Sequence, residues 1–458
     1  MSFSLTAKTI FPEHFIFGVA NAPGQVEDNL PDIWLKWAEL GKISAWKNVP
    51  RPQERLQFWT QPDIELNLAQ ELGVGSFRLG VDWGRVMPRK NRFDESVLTR
   101  YREIIRSVKS RNMKVMLTLM HHSVPAWIQA QGGWHSQETK KDFIIFSKRI
   151  ISEFRDEVDW WITFNEGNVF VTMAYTAGIW PPGEKSSPLS MTAIGPFVGS
   201  SVRAMDNMAD AHNDLYDWAH KKFSKIKIGL AHNMAHYSGK TYFNRIKASF
   251  ADDVMNWRFP EKVRGRMDFF GFNYYGAEWI KGQQIDIDPA EEYSEAGRAI
   301  DVDGLFHILE KINQRFKDLP IIITENGIAD AQDAIRPSYH VEHLMAVHRA
   351  ISKNIPVIGY YVWSLTDNLE WSDGYCPKFG LVALDRSTMK RYPRPSFHLM
   401  KTIVKSKTIS NELRKSAWDR VISFQGKERP FCRARDGITS YDIPRVRKFT
   451  KKDWRFSR

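Results

Sequence analysis

The 458-residue sequence predicts an α/β fold: a single (β/α)8 TIM barrel with long strand-end loops, followed by a basic C-terminal extension. Short runs of apolar, β-branched and aromatic residues alternate with longer amphipathic segments, and eight such runs occur in the first 400 residues. The runs are almost continuously apolar, which is typical of parallel strands covered on both faces. We therefore expect a barrel over residues 1–405, with the extension, residues 406–458, packed on or beside it.

The predicted elements follow from these patterns. The strand runs begin at Phe15, Ser76, Lys114, Trp160, Lys227, Met267, Ile321 and Val357. Helical periodicity predicts helices over residues 62–72, 96–111, 137–154, 200–223, 304–316, 338–352 and 396–404, with the weakest pattern at 239–257. Gly73 directly after the first helix is a typical helix stop. Long loops are expected over residues 178–196, 277–303 and 367–395.

Composition excludes several classes of protein. With 43% hydrophobic and 26% charged residues, the chain can form a core and is not disordered. It has no apolar run long enough to span a membrane, and its first residues lack the apolar segment of a signal peptide. Cys376 and Cys432 cannot make a disulfide framework and lack zinc-site spacing, so a reducing compartment is the default expectation. We expect a protein that is cytoplasmic or peripheral on a membrane.

The positive charge is concentrated at the C-terminus. Of the net +12, residues 401–458 carry +11, from 17 basic and 6 acidic side chains. This segment is either a binding surface or simply a solvated one. Nucleic acid is not expected as a partner, because no recognised nucleic-acid-binding fold or basic stripe accompanies the charge.

Polar side chains follow almost every predicted strand. They are Gln25, Glu27, Arg78, His121, His122, Asn165, Glu166, Asn273, Tyr274, Tyr275, Glu325, Asn326 and Trp363, with Glu370, Trp371 and Phe379 in the last loop. A single such residue is usually a helix cap or a rim group. Because the active sites of (β/α)8 barrels lie at the carboxyl ends of the strands, the recurrence predicts a site.

Two of these residues are carboxylates on different strands, Glu166 and Glu325. A barrel directs both toward one central cavity, and two facing carboxyl groups are what glycosidic-bond chemistry requires. The alternative is a pair of unrelated buried glutamates, each held in its own ion pair. The sequence around them decides between these interpretations.

The motifs TFNE (163–166) and ITENG (323–327) resemble the two catalytic signatures of glycoside hydrolase family 1. FIFGVANAPGQVED near the start, GFNYY at 271–275 and VWSLTDNLEWSDGYCPKFGLV at 362–382 also resemble this family. The match runs in order from about residue 11 to residue 405, so the chain is identified as a member. The resemblance implies a retaining β-glycoside-active enzyme without metal or cofactor.

The resemblance also implies roles for individual residues. Glu325 resembles the nucleophile and Glu166 the acid/base, which must hold a proton near neutral pH. Arg78 and Tyr275 resemble the groups that keep the nucleophile ionised and oriented, and Asn165 the partner of the sugar 2-hydroxyl. The sugar-binding set implied by the family comprises Gln25, His121, Asn273, Trp363, Glu370, Trp371 and Phe379. A carboxylate at Glu370 would repel phosphate, which favours a neutral sugar.

A narrower resemblance concerns segments that depart from ordinary members. QERLQFW (53–59), HHSVPAW (121–127), EYSEAGR (292–298), PKFGLVALDRS (377–387) and the tail motifs SAWDR, RPF and DWRF resemble the plant galactolipid galactosyltransferase branch of the family. That branch implies transfer of a galactosyl group between galactolipids at the chloroplast envelope. Three departures point the other way: no N-terminal anchor or long insertion before FW, a hydrolase-like Gln25, and Gly167 where the family has proline.

Three functions therefore remain open at this point. The first is a galactolipid galactosyltransferase, the second a soluble β-glycosidase acting on terminal neutral sugars, and the third a non-catalytic sugar- or lipid-binding relative. For the extension, aromatic residues interleaved with basic ones suggest that residues 416–456 wrap back on the barrel and help to present a surface for anionic lipid. The alternative is that this segment merely covers the side of the barrel.

Overall fold

The computed structural model describes residues 8–47, 49, 51–184, 200–282, 284–434 and 439–457. Its strands are β1 (Thr9–Ile10), β2 (Ile16–Ala20), β3 (Ser76–Gly80), β4 (Lys114–Met120), β5 (Trp160–Asn165), β6 (Ile228–Ser238), β7 (Phe270–Lys281), β8 (Gln284–Asp286), β9 (Ile321–Asn326), β10 (Val357–Val362), β11 (Val382–Asp385), β12 (Lys390–Pro393), β13 (Thr408–Ile409), β14 (Glu428–Arg433) and β15 (Ser440–Lys448). In this part of the chain, strands β2–β7, β9 and β10 pair in parallel, and the β6–β7 pairing closes the barrel. The predicted fold class is confirmed.

The helices that cover the barrel lie close to the predicted positions. They are α1 (Pro23–Val26), α2 (Ile33–Glu39), α3 (Pro62–Leu72), α4 (Trp83–Val86), α5 (Glu95–Ser110), α6 (Ala126–Ala130), α7 (Gln137–Phe154), α8 (Gly167–Val171), α9 (Ser200–Lys222), α10 (Tyr242–Ala251), α11 (Arg258–Lys262), α12 (Val302–Arg315), α13 (Arg336–Ser352), α14 (Pro395–Ser406) and α15 (Asn411–Phe424). Gly73 ends α3 with a positive φ of 89°. Asp94 and Asp301 cap α5 and α12 by accepting backbone N–H groups, which starts both helices slightly before the predicted residues.

The weakest predicted helix, 239–257, consists of two parts. Thr241 caps α10 by accepting the N–H of Asn244, and the chain then widens into a π-helical turn over Asp252–Trp257. The expected loop 277–303 begins as strand, since β7 continues to Lys281 and turns back into β8. Of the expected loop 178–196, residues 185–196 lie outside the described residues.

Both faces of the barrel strands are apolar, as the continuous runs predicted. On β4, Val115 and Leu117 pack into the core shared with the surrounding helices. Met116, between them, packs with Ile162 and Ile322 from other strands. Because successive side chains of a strand point to opposite faces, this second cluster fills the barrel interior and supports the site above it.

The C-terminal extension is packed on the barrel through its aromatic side chains. Trp418 of α15 and Trp454 are buried against each other with ring centroids 4.5 Å apart, and Phe456 contacts Phe306 of α12. Glu342 of α13 accepts from Trp418 Nε1 at 2.7 Å and from the Arg414 guanidinium at 2.8 Å. Much of the extension's aromatic surface is therefore used for packing.

Our expectation about the cysteines was wrong. Cys376, in the loop after β10, and Cys432, on β14, form a disulfide with a Cα–Cα distance of 5.9 Å. The residues are 56 apart in sequence and are brought together only because the β14–β15 hairpin folds back onto that loop. The finding removes the argument for a reducing compartment. Over the residues described, no helix is both long and apolar enough for a membrane span.

Candidate active site

The carboxyl ends of the barrel strands surround a cavity of about 360 Å³. Nine of the predicted site residues line it: His121, Asn165, Glu166, Tyr275, Glu325, Trp363, Glu370, Trp371 and Phe379. Arg78, Asn273 and Gln25 are fully buried behind this lining and act on it through their contacts. The structure therefore brings the predicted set into one place, in two layers.

Glu325, the last residue but one of β9, is held by two donors. Arg78 Nη1 lies 2.6 Å from Oε1, and the Tyr275 hydroxyl donates to Oε2 at 2.6 Å. Burial raises the pKa of Tyr275 well above its usual value, so its hydroxyl remains a donor. Arg78 also donates to Asn165 Oδ1 at 2.5 Å, which fixes the orientation of that amide. Both oxygens of Glu325 are thus fixed from separate strands.

Glu166 follows β5 and begins α8 with a left-handed backbone, φ 45°. Such a conformation is strained for a residue other than glycine and is tolerated where the surroundings impose it. Here its N–H donates to the Ala231 carbonyl at 2.7 Å. Asn233 and Asn273 each donate an amide N–H to Glu166 Oε1 at 2.9 Å. Oε2 lies 3.6 Å from His122 Nε2.

These contacts reverse the expected distribution of the proton. Burial, together with the charge of Glu166, raises the pKa of Glu325 to about 7 against the opposing effect of Arg78 and Tyr275. Burial also raises the pKa of Glu166, but His122, Asn273 and Asn233 more than offset it, so this pKa lies below its usual value. The directions of these two shifts favour the proton on Glu325 in the free enzyme. The sequence-based expectation placed the proton on Glu166 because it did not include the donors around that carboxyl group.

The sugar-binding candidates form a connected network. Asn165 Nδ2 donates to His121 Nε2 at 2.8 Å, and burial holds the pKa of His121 well below its usual value, so the ring is neutral. Trp363 Nε1 donates to Glu370 Oε1 at 3.2 Å. Gln25 Nε2 donates to the carbonyl of Leu369, next to Glu370. These contacts orient the cavity lining before a substrate binds.

Glu370 differs from our expectation in its charge. Burial raises the pKa of its carboxyl group well above the usual value, which favours the protonated form in the free enzyme. Protonation weakens the argument that a negative charge at Glu370 would repel a phosphorylated sugar. A neutral carboxyl group can both donate to and accept from sugar hydroxyls, which suits a neutral sugar.

Sequence reasoning assigned no individual role to three residues that orient the site. His122 and Asn233 contact Glu166 directly, and Thr324 donates to Asn273 Oδ1 at 2.7 Å. His122 was noted only as a strand-end polar residue, and Thr324 only as part of the motif ITENG. Asn233 was not noted, although a polar residue within the apolar run KIGLAHN was a usable signal.

Beyond the carboxylates the lining of the cavity becomes more apolar. It includes apolar side chains from three segments that follow barrel strands: α8 and the turn after it, α10 and its π-helical turn, and the β7–β8 hairpin. We call these residues the apolar wall: Val169, Met173, Ala251, Val254, Met255, Ile280 and Ile285. Tyr237, Glu278 and Arg298 lie in the same outer part, with Arg298 ion-paired to Glu278. Arg433 from the extension also lines the cavity and is ion-paired to Asp373 at 3.2 Å. Across the described ranges, no group of His, Cys, Asp and Glu side chains is arranged to hold a metal ion.

Comparison with known proteins agrees with this geometry. The sequence profile of the family described as "Glycosyl hydrolase family 1" matches residues 7–257 and 241–409. The chain belongs to glycosyl hydrolase family 1. It is thus an enzyme of a family whose retaining mechanism agrees with two carboxyl groups in one cavity.

Three proteins are similar to this family 1 enzyme over most of its length. It is 36% identical to the "Galactolipid galactosyltransferase SFR2, chloroplastic" of Arabidopsis thaliana, over 96% of this chain and 82% of that protein. It is 41% identical to the "Beta-glucosidase-like SFR2, chloroplastic" of Oryza sativa, over 90% of this chain and 67% of that protein. The solved β-glycosidase from Pyrococcus horikoshii superposes with a TM-score of 0.80 at 29% identity, over 90% of this chain and 98% of that chain.

Proposed function

We propose that this family 1 enzyme moves a β-galactosyl group from one galactolipid to the headgroup of another. The observation that carries the proposal is the two-part cavity, in which the carboxylate pair and its sugar-binding network open onto an apolar wall. The sugar of a galactolipid is polar and its acyl-bearing glycerol is apolar, so the two parts of the lipid match the two parts of the cavity. The identity to the Arabidopsis galactosyltransferase, which covers 96% of this chain and hence most of the C-terminal extension, supports the same substrate class.

In the first step, the ionised Glu325 attacks the anomeric carbon of the donor. The bond from this carbon to the glycerol oxygen breaks, and Glu166 gives its proton to that oxygen, which releases diacylglycerol. The pKa shifts favour the proton on Glu325 in the free enzyme, so the proton must reach Glu166 before this step. Arg78 and Tyr275 favour this transfer, since both stabilise the ionised form of Glu325.

In the second step, Glu166 acts as the base. It takes a proton from a hydroxyl of the acceptor sugar, the acceptor oxygen attacks the anomeric carbon, and the ester to Glu325 breaks. The products are a digalactosyl lipid and the enzyme in its starting state. We assign the acceptor headgroup to the outer cavity beside Tyr237, Glu278 and Arg298, whose polar groups lie next to the apolar wall.

We further propose that the extension, residues 406–458, belongs to the catalytic unit and attracts an anionic membrane surface. Arg433 lines the cavity, and Asp373 of the last barrel loop accepts from Ser440 as well as pairing with Arg433. Part of the positive charge is neutralised by barrel carboxylates, as in the pair of Arg429 with Glu292. The remaining positive charge of the extension attracts the anionic surface over a longer range. Both plant relatives bear the word "chloroplastic", so we propose a plastid membrane as this surface.

The product mixture tests the proposed reaction. Incubation with monogalactosyl diacylglycerol in mixed micelles should give digalactosyl lipid and diacylglycerol, and Glu325→Gln should abolish both. Glu295→Gln is the matched control, because Glu295 is an equally buried carboxyl group that does not line the cavity. Release of free galactose without digalactosyl lipid would refute transfer.

That refuting result would support a second candidate, a soluble β-glycosidase that hydrolyses terminal glucosides or galactosides. Gln25, which matches the ordinary hydrolases, and the likeness to the Pyrococcus β-glycosidase favour it. Both candidates share the Glu325 ester and differ only in whether water or a sugar hydroxyl resolves it. Turnover of a nitrophenyl β-glycoside together with no product from galactolipid would identify the hydrolase.

A further inference from the structure

Helix α10 carries large apolar side chains on its outer face. Tyr242, Phe243 and Ile246 are 67%, 74% and 53% exposed, while Ala248 and Ala251 on the other side of the helix are buried. The Tyr242 and Phe243 rings lie 5.8 Å apart, edge to face. A surface helix normally turns its apolar stripe toward the core, so a second, outward-facing stripe indicates a contact with something else.

The sequence of α10 places charge around this stripe. At about 100° per residue, Tyr242, Ile246 and Phe243 occupy a sector about 100° wide. Arg245 and Lys247 lie just outside its two edges. Aromatic and aliphatic side chains bordered by basic ones are the pattern of a helix that lies in the plane of a bilayer surface.

The position of α10 connects this stripe to the cavity. The helix begins four residues after Ser238, the carboxyl-terminal residue of β6, and so lies at the catalytic end of the barrel. Its last residue, Ala251, lines the cavity, as do Val254 and Met255 in the turn that follows. One short segment thus carries both an exposed apolar face and part of the apolar wall of the site.

We propose that Tyr242, Phe243 and Ile246 form a docking surface for a galactolipid-containing bilayer. The inference rests on the proposed function and extends it, because it states how a lipid would reach the cavity without leaving the membrane. Charge favours a bilayer over a second copy of the chain as the occupant: Arg245 and Lys247 border the stripe, so two copies meeting there would bring like charges together, while anionic lipid attracts them.

Vesicle binding tests this docking surface without any need for catalysis. The full chain is floated with vesicles of phosphatidylcholine, phosphatidylglycerol and monogalactosyl diacylglycerol. Ile246→Glu should weaken partitioning at least about tenfold, since an apolar anchor is replaced by a charge. Ile145→Glu on α7 is the matched control, because Ile145 is 42% exposed on a barrel helix outside the extension and undergoes the same change in charge. This control should change partitioning by no more than about threefold.

Three results would overturn the inference: wild-type protein that does not bind the vesicles, equal losses in the two variants, or a wild-type dimer that Ile246→Glu dissociates in light scattering. The last result would assign the stripe to a second copy. Turnover of a soluble nitrophenyl β-galactoside should be equal in wild type and Ile246→Glu, and a loss there would show damage to the site instead. Vesicle binding lost only in Ile246→Glu supports docking even if no digalactosyl lipid forms, so the two proposals fail separately.

Discussion

Tyr275→Phe gives the most direct test of where the proton resides. The change removes the hydroxyl that lies 2.6 Å from Glu325 Oε2 and leaves the ring, whose centroid is 5.8 Å from that of Phe379. A hydrogen bond to a carboxylate stabilises the charged form, so its loss raises the pKa of Glu325. The substitution therefore alters the protonation of the pair with little effect on packing.

The magnitude follows from the strength of such a bond. Hydrogen bonds to charged groups contribute about 1.5–3 kcal/mol, and one pKa unit corresponds to about 1.4 kcal/mol. We expect the pKa of Glu325 to rise by about 1–2 units from its value of about 7. The form with Glu325 ionised and Glu166 protonated becomes rarer by the same factor, so kcat/KM should fall about 10- to 100-fold on this ground alone.

The pH dependence of kcat/KM on a nitrophenyl β-galactoside distinguishes the two proton distributions. If Glu325 has the higher pKa, the alkaline limb of the bell-shaped profile belongs to it, and Tyr275→Phe moves that limb upward. If Glu166 has the higher pKa, the acidic limb moves upward instead, and our assignment is refuted. Tyr274→Phe is the control, because its hydroxyl donates to the Asp301 carbonyl and not to Glu325. It should leave both limbs in place.

Three further outcomes are expected. A 2-deoxy-2-fluoro glycoside should add one sugar mass to the peptide that contains Glu325, and a label on any other side chain would contradict the nucleophile assignment. His122→Phe should raise the pKa of Glu166 and so move the acidic limb of the pH profile upward. A limb that did not move would show that His122 has no effect on the pKa of Glu166. Trp418→Ala should lower the free energy of unfolding by about 3–5 kcal/mol in a denaturant titration. Exposed Ile422→Ala on the same helix should change it by less than about 0.5 kcal/mol, and equal effects would show that the extension is not packed as described.

The barrel was predictable because its sequence signals are local. Continuous apolar runs and helical periodicity depend only on neighbouring residues, and α7 has the bounds that its periodicity predicted. The disulfide of Cys376 with Cys432 was not predictable in this way, since it depends on a hairpin folding back onto a distant loop. The outward stripe on α10 was missed for a related reason: periodicity shows that apolar residues share a face, but not which face meets the core.

The candidate site shows the same division between features that local sequence predicts and features that depend on contacts between distant residues. Nine of the residues singled out from the family motifs line one cavity, because the barrel brings the ends of its strands together. The directions of the pKa shifts could not be predicted, because they depend on distances that the sequence does not contain, such as the 2.9 Å from Asn233 Nδ2 to Glu166 Oε1. The separation of the Glu166 and Glu325 carboxyl groups remains a prediction of about 5–5.5 Å, the value for retaining enzymes.

Under the proposed function, the choice between transfer and hydrolysis is made after the Glu325 ester has formed. Water competes at a concentration far above that of any dissolved lipid, so transfer requires the acceptor to be held beside the ester. An apolar wall beyond the carboxylates disfavours ordered water there, and a docked bilayer supplies acceptor headgroups at a high local concentration. Because Ile246→Glu weakens docking, it should lower the supply of donor and acceptor on vesicles. Both products should fall, and the ratio of digalactosyl lipid to free galactose should fall as well, since water still competes when acceptor headgroups become scarce. A ratio that stayed constant while both products fell would mean that docking delivers the donor alone.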